Sequence, residues 1–321
     1  MDPKPVVLVT RKLPDPVEAR LCRDYQPRLN RDDRQYGADE IVALAEGAAA
    51  ILPCHTETFD ADVIARLPAS VRAIANFSVG YDHVDIAAAK ARGLIVTNTP
   101  DVLSDATAEI AMLLLIGAAR RAGEGERLVR MRAWKDWSPA FMVGIQVTGK
   151  RLGILGLGRV GRVVAKRARG FDMEIHYHNR HRLDRAAEAG AAYHPTVESL
   201  LAHSPFLSIH CPATDATRGL LDARRIALLP DGAIVVNTAR GAIVDDEALI
   251  AALRSGKLAA AGLDVFNGEP DIHPGYRELK NTFLLPHVGS ATRETREAMG
   301  FRALDNLDAV FAGREPRDRI A

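Results

Sequence analysis

Short apolar runs and alanine-rich helical stretches take turns along the whole chain, and this rhythm leaves few folds open. The runs are Val6–Thr10, Ala49–Leu52, Val71–Phe77 and Leu94–Asn98, then Arg151–Leu155, Met173–His178, Phe206–His210, Ala233–Asn237, Ala259–Val265 and Thr282–Leu285. Strand-like runs separated by helical patterns imply βαβ units and parallel sheets. Continuous rather than alternating apolarity agrees, because a parallel sheet is covered on both faces. The chain therefore reads as α/β with two doubly wound parallel sheets, a number of domains that its 321 residues can supply. Asp101 to about Arg132 reads as one long helix crossing between the two sheets, with Ser104 or Asp105 suited to its N-cap. Thr292–Ala312 is again amphipathic, and its periodicity does not say which sheet it covers.

Composition removes several classes of function. With 42 basic and 41 acidic side chains the net charge is +1, so the electrostatic footprint of a nucleic-acid or anionic-membrane binder is missing. The longest apolar stretch, Ile110 to Ala119, is far shorter than the ~20 residues that span a bilayer. The first residues show no signal-peptide pattern. Cys22, Cys54 and Cys211 have no paired spacing, which fits a reducing, cytoplasmic setting and neither a disulfide framework nor a zinc knuckle.

The sharpest local signal is the loop Gly156-Leu-Gly158-Arg159-Val160-Gly161, with a strand directly before it and a helix directly after. That context is what dinucleotide binding needs. Gly156 allows the tight turn, Gly158 lets the backbone approach a pyrophosphate, and Gly161 permits close helix–strand packing. The helix N-terminus then offers unpaired N–H groups to the anion. About 20 residues on, an NAD site places an acid on the ribose diol. Here the strand ends His176-Tyr-His178-Asn179-Arg180-His181-Arg182, without a carboxylate. Asn179 does not repel a 2′-phosphate and Arg180 can pair with one, so NADPH (NADP) is expected over NADH by about ten- to a hundredfold. A solvated basic turn is the plain alternative. The histidines of this stretch have no acidic or cysteine neighbour to complete a metal site, and no metal is expected.

Three later segments each place one functional side chain after a strand: Asn237-Thr-Ala-Arg240, Asp264-Val-Phe-Asn-Gly-Glu269 and Pro286-His287. Alone, each could be a surface arginine, a turn carboxylate or a loop histidine. Together they would suffice for reducing a 2-keto acid with a nicotinamide cofactor. Arg240 would hold the carboxylate and polarise the carbonyl. His287 would protonate the developing alkoxide, and Glu269 would fix its tautomer.

These residues, with Asn76-Phe-Ser-Val79-Gly80-Tyr-Asp82-His-Val-Asp85, Asp105-Ala-Thr107-Ala-Glu109 and the glycine loop, resemble the D-isomer-specific 2-hydroxyacid dehydrogenases along essentially the whole chain. The segment looks most like the NADPH-dependent glyoxylate/hydroxypyruvate reductases, partly through its His-Asn-Arg strand ending. The resemblance implies a flavodoxin-like substrate domain from 1–100 plus 290–321, with a Rossmann domain at 101–289 inserted into it. It implies Arg240, Glu269 and His287 as catalytic residues, and the backbone of Val79 and Gly80 as a grip on the substrate carboxylate. Thr107, Gly156, Gly158, Arg159, Val160, Gly161, Asn179, Arg180, Cys211, Pro212, Thr217, Thr238, Ala239, Asp264 and Gly289 fall where relatives contact the cofactor. Relatives are usually homodimers, and Ala133–Pro139, with Trp134 and Trp137, looks like their dimer arm; ordinary core packing is the alternative for these tryptophans. The implied activity is reduction of glyoxylate or hydroxypyruvate to the 2-hydroxy acid. Another substrate preference, with NAD or NADP, and a dinucleotide-gated binding module like the co-repressors of this fold both stay open.

Overall fold

A computed structural model describes residues 3–321. They form two compact units, one from residues up to 103 together with 291–321, the other from 104–290. The first holds five strands: β1 (Val6–Val9), β2 (Gln26–Arg28), β3 (Ala50–Leu52), β4 (Ala73–Ala75) and β5 (Ile95–Thr97). They are parallel, in the order β2-β1-β3-β4-β5. One face packs Val7, Val9, Leu52 and Ala75 on Val17 and Leu21 of helix Asp15–Asp24 and on Met299, Leu304 and Leu307 of helix Arg293–Phe311. The other packs Leu8, Ile51, Ile74 and Val96 on Ile41, Val63, Ile64 and Ala89. The last helix thus belongs to the first unit. Thr292 caps it by accepting from the Thr295 N–H, and Gly300 admits Val17 where any side chain would collide.

The second unit holds β6 (Arg151–Leu155), β7 (Glu174–His178), β8 (Ala192–Tyr193), β9 (Phe206–Ile209), β10 (Ala233–Asn237), β11 (Leu258–Leu263) and β12 (Thr282–Leu284). All pair in parallel, in the order β12-β11-β10-β9-β6-β7-β8. The chain winds outward from β6 through β8 and then crosses back to β9, so the winding reverses between β6 and β9. In such sheets the crevice at the carboxyl ends of those two strands is where ligands bind.

Two strands, β2 and β8, lie outside the ten runs predicted from the sequence. Both are sheet edges of three and two residues, paired on one side only. The long helix expected from 101 to 132 is two helices, Ser104–Ala119 and Ala122–Arg130, broken at Arg121 with φ +55°. The break wraps the chain around the Phe283 ring: a side chain at Gly117 would overlap that ring, and one at Gly123 would come within 3.1 Å. Neither helix crosses between sheets. Ser104–Ala119 packs within the second unit on helix Arg159–Ala168 and on β10, β11 and β12. Asp105 lies inside its first turn, where its carboxylate accepts from Arg167 at 2.9 Å.

The histidines at the β7 edge interlock. His176 Nδ1 lies 2.8 Å from His194 Nε2, His178 Nδ1 lies 2.8 Å from the His194 carbonyl, and the His194 and His203 rings stand 5.0 Å apart. Burial is the leading cause that depresses both His176 and His194; Arg151 and His203 add to it at His176, and His176, His203 and His178 at His194, while Glu174 opposes it at His176 and a hydrogen bond with Ser199 at His194. A histidine favoured neutral in the fold takes up fewer protons than it does unfolded. Its stabilisation is therefore complete above the unfolded pKa of about 6.5 and is lost as pH falls below it. The thermal midpoint is expected to drop between pH 7 and pH 5, and to drop less in His194→Gln. Equal slopes for both proteins in calorimetry would exclude this cluster as the cause.

Candidate active site

The glycine loop opens on the crevice between β6 and β9. Gly156 has φ +100°, and a Cβ there would lie 2.6 Å from the Cys211 nitrogen. A Cβ at Gly161 would collide with the Gly156 carbonyl, so the helix packs directly on the turn. At Gly158, the residue preceding helix Arg159–Ala168, a Cβ would meet nothing within 4 Å. Space for a ligand therefore stands before the N-terminus of that helix, the end whose dipole favours an anion.

Asn179 has a task the sequence did not disclose. Its Oδ1 accepts the Leu157 N–H at 2.7 Å, so the side chain at the end of β7 clamps the glycine loop. Arg180, next to it, is exposed and has no hydrogen-bond or ion-pair partner among the described residues. Of the acids that follow, Asp184 accepts the Ala187 N–H as a helix cap, and Glu188 is taken by Tyr177 and Arg182. No carboxylate stands within 176–183, the segment that ends β7 and follows it.

Beyond β9, burial pushes the Cys211 thiol up to about 11, which makes it a small apolar filler rather than a nucleophile. Thr217 ties the next turn, its hydroxyl donating to the Pro212 carbonyl at 2.6 Å and accepting the Thr214 N–H at 2.8 Å. Beyond β10, the buried Asn237 accepts from the Ala239 N–H at 2.9 Å and donates to the Arg240 carbonyl at 2.8 Å. The turn Thr238–Arg240 is so held from inside. Gly241 brings it against the backbone of Phe266 and Asn267, where a side chain has no room.

Glu269 and His287 meet. His287 Nδ1 lies 2.6 Å from Glu269 Oε2, and the other carboxylate oxygen accepts the Phe266 N–H at 2.7 Å. His287 itself has φ +55°, an unusual conformation for a residue with a side chain. Asp264, at the end of β11, stabilises that turn by accepting the Val288 and Gly289 N–H groups, each at 2.8 Å. Burial raises its pKa, against the pull of those two N–H groups and of His287. Thr107 adjoins it, 3.4 Å from where a Cβ on Gly289 would stand. Arg240 and His287 follow strands separated only by β11, so both stand at the carboxyl end of the same sheet.

In the first unit, Val79 and Gly80 lie in the loop after β4. Asn98 donates to the Val79 carbonyl at 2.8 Å and Asn76 to the Gly80 carbonyl at 3.0 Å. Neither residue's N–H has an acceptor among the described residues, so two successive donors stand ready for an anion.

A doubly wound sheet with a glycine loop at its reversal point defines a dinucleotide-binding α/β protein. The comparisons narrow this further. Residues 112–289 match the model of the D-isomer specific 2-hydroxyacid dehydrogenase NAD binding domain. Glycerate dehydrogenase of Hyphomicrobium methylovorum is 46% identical over 97% of each chain, and glyoxylate reductase of Thermococcus litoralis 40% identical over 99% of this chain and 97% of that one. Among solved structures, the NADPH-dependent glyoxylate/hydroxypyruvate reductase of Sinorhizobium meliloti, in complex with NADP and malonate, superposes with TM-score 0.87 at 34% identity, covering 99% of this chain and 97% of that chain. The chain belongs to the D-isomer specific 2-hydroxyacid dehydrogenase family. It is an oxidoreductase acting on 2-hydroxy acids or their 2-keto counterparts. No helix among the described residues is long and apolar enough to cross a membrane.

Proposed function

We propose that the protein reduces small 2-keto acids, glyoxylate and hydroxypyruvate first, with NADPH as reductant. The observation that carries the chemistry is the Glu269–His287 pair on the sheet edge that also bears the glycine loop. A bound nicotinamide would supply the hydride to the carbonyl carbon. As negative charge grows on the carbonyl oxygen, His287 Nε2 delivers a proton to it, while Glu269 retains the proton on Nδ1 and steadies the cationic ring. Arg240 pairs with the substrate carboxylate and polarises the carbonyl. The N–H groups of Val79 and Gly80 grip the carboxylate, which makes the first unit the substrate domain and the second the cofactor domain. Thr107, Thr238, Ala239, Asp264 and Gly289 line the nicotinamide half of the cofactor site. Arg159, Val160, Cys211, Pro212 and Thr217 line the remainder with the loop glycines.

The glycerate dehydrogenase relative supports hydroxypyruvate, because oxidising C2 of glycerate yields that acid. The carboxylate-free end of β7 and the unengaged Arg180 support NADPH. Following dinucleotide absorbance with glyoxylate, hydroxypyruvate and pyruvate tests the reading. The expected kcat/KM is ten- to a hundredfold higher with NADPH than with NADH, and Arg180→Ala is expected to cut that ratio about tenfold through KM. A wild-type preference for NADH would sink the cofactor assignment.

We also propose a cytoplasmic homodimer. Trp134 and Trp137 are 55% and 75% exposed, so they do not pack in the core. With Val129, Met131, Phe141 and Val143 they form an exposed apolar segment suited to a second copy of the chain. Sedimentation equilibrium that returns the monomer mass of 34.8 kDa would refute the dimer.

A further inference from the structure

His210 stands where the winding of the seven-stranded sheet reverses, and none of the roles above uses its ring. Its N–H donates to the Leu155 carbonyl at 2.8 Å, and its own carbonyl carbon lies 2.8 Å from where a Cβ on Gly156 would stand. The residue is thereby fixed against the glycine turn. Its ring bridges two strands: Nε2 lies 2.8 Å from Ser208 Oγ, and Nδ1 3.2 Å from Thr238 Oγ1.

Ser208 decides the tautomer. It is 1% exposed, and its hydroxyl has no other hydrogen-bond partner among the described residues. Were the ring to donate from Nε2, the serine hydrogen would be buried without an acceptor, which is costly. The serine therefore donates to Nε2, and the ring proton sits on Nδ1, facing Thr238. Burial pushes the imidazole down to about 4, so this neutral form persists through the physiological range.

We propose that His210 is a positioning residue for the dinucleotide: it donates from Nδ1 to Thr238 Oγ1 and thereby turns the threonine's own hydrogen outward, toward an oxygen of the cofactor's pyrophosphate or adjoining ribose. The opposite tautomer would turn that hydrogen inward and leave only lone pairs facing an anionic ligand. This rests on reading the crevice as the dinucleotide site.

The test is fluorescence titration of NADPH together with steady-state kinetics. His210→Leu is expected to raise the Kd for NADPH about tenfold while kcat at saturating cofactor stays within about twofold. Thr238→Val is expected to raise the Kd for NADPH by a similar factor, and the Kd of the double variant is no worse than that of either alone, because both changes remove one relay. His210→Asn, whose amide N–H takes the place of Nδ1–H, recovers most of the affinity. In the wild type, ¹⁵N shifts report the Nδ1–H tautomer, a readout that stands even where His210→Leu fails to fold. An unchanged Kd in Thr238→Val or His210→Leu, multiplying losses in the double variant, or an Nε2–H tautomer overturns the relay alone. A wild-type protein that binds no dinucleotide overturns the reading of the crevice as well.

Discussion

Replacing His287 by glutamine is expected to lower kcat by about 10²–10⁴ while the Kd for NADPH stays near its wild-type value. Glutamine keeps a donor near the Nε2 position but carries no proton it can release. The loss should therefore fall on the chemical step and not on binding. The neighbouring carboxylate sharpens the experiment. Glu269→Gln keeps a hydrogen bond to Nδ1 yet removes the negative charge that steadies the cationic ring, so a smaller fall in kcat is expected than in His287→Gln. Stopped-flow absorbance of single turnovers separates these effects from product release. Near-wild-type turnover in His287→Gln would remove the imidazole from the reaction.

Arg240→Lys is expected to cost about 10²-fold or more in kcat/KM for the keto acid, although the positive charge is kept. A planar fork can hold a carboxylate at two points and reach the carbonyl beside it, and an ammonium cannot. The surrounding turn keeps the two bonds that Asn237 makes to the backbone of Ala239 and Arg240, which do not involve the substituted side chain. Cofactor binding should accordingly be retained. Unchanged KM and kcat in Arg240→Lys, measured with glyoxylate and hydroxypyruvate, would take this arginine out of the substrate site.

Much of this architecture can be read from the primary structure because parallel strands must be apolar on both faces, and ten of the twelve announce themselves that way. The two that do not, β2 and β8, are edges such as Gln26-Pro27-Arg28, with too few buried positions to leave a pattern. The bend at Arg121 was hidden for a different reason. It depends on the Phe283 ring, which comes from a strand more than 150 residues away. The Glu269–His287 contact could be anticipated, since each residue follows a strand of the same sheet. Side chains that act on a distant backbone were less visible. Asn179 clamping Leu157 and Asp264 holding Val288 and Gly289 are invisible until the loops are placed, because the sequence marks only where such residues stand and not which N–H they face. His210 carried no local signal beyond its position after a strand.

Helix Arg293–Phe311 completes the sheet that begins at Val6, yet all of residues 104–290 lie between them in the chain. On the ribosome, the inner unit is contiguous and has every strand available once residue 290 has emerged. The outer sheet at that moment still lacks the helix that supplies Met299, Leu304 and Leu307, and Val7, Val9 and Ala75 are left without that cover. The unit whose strands are synthesised first is therefore the last that can close its core.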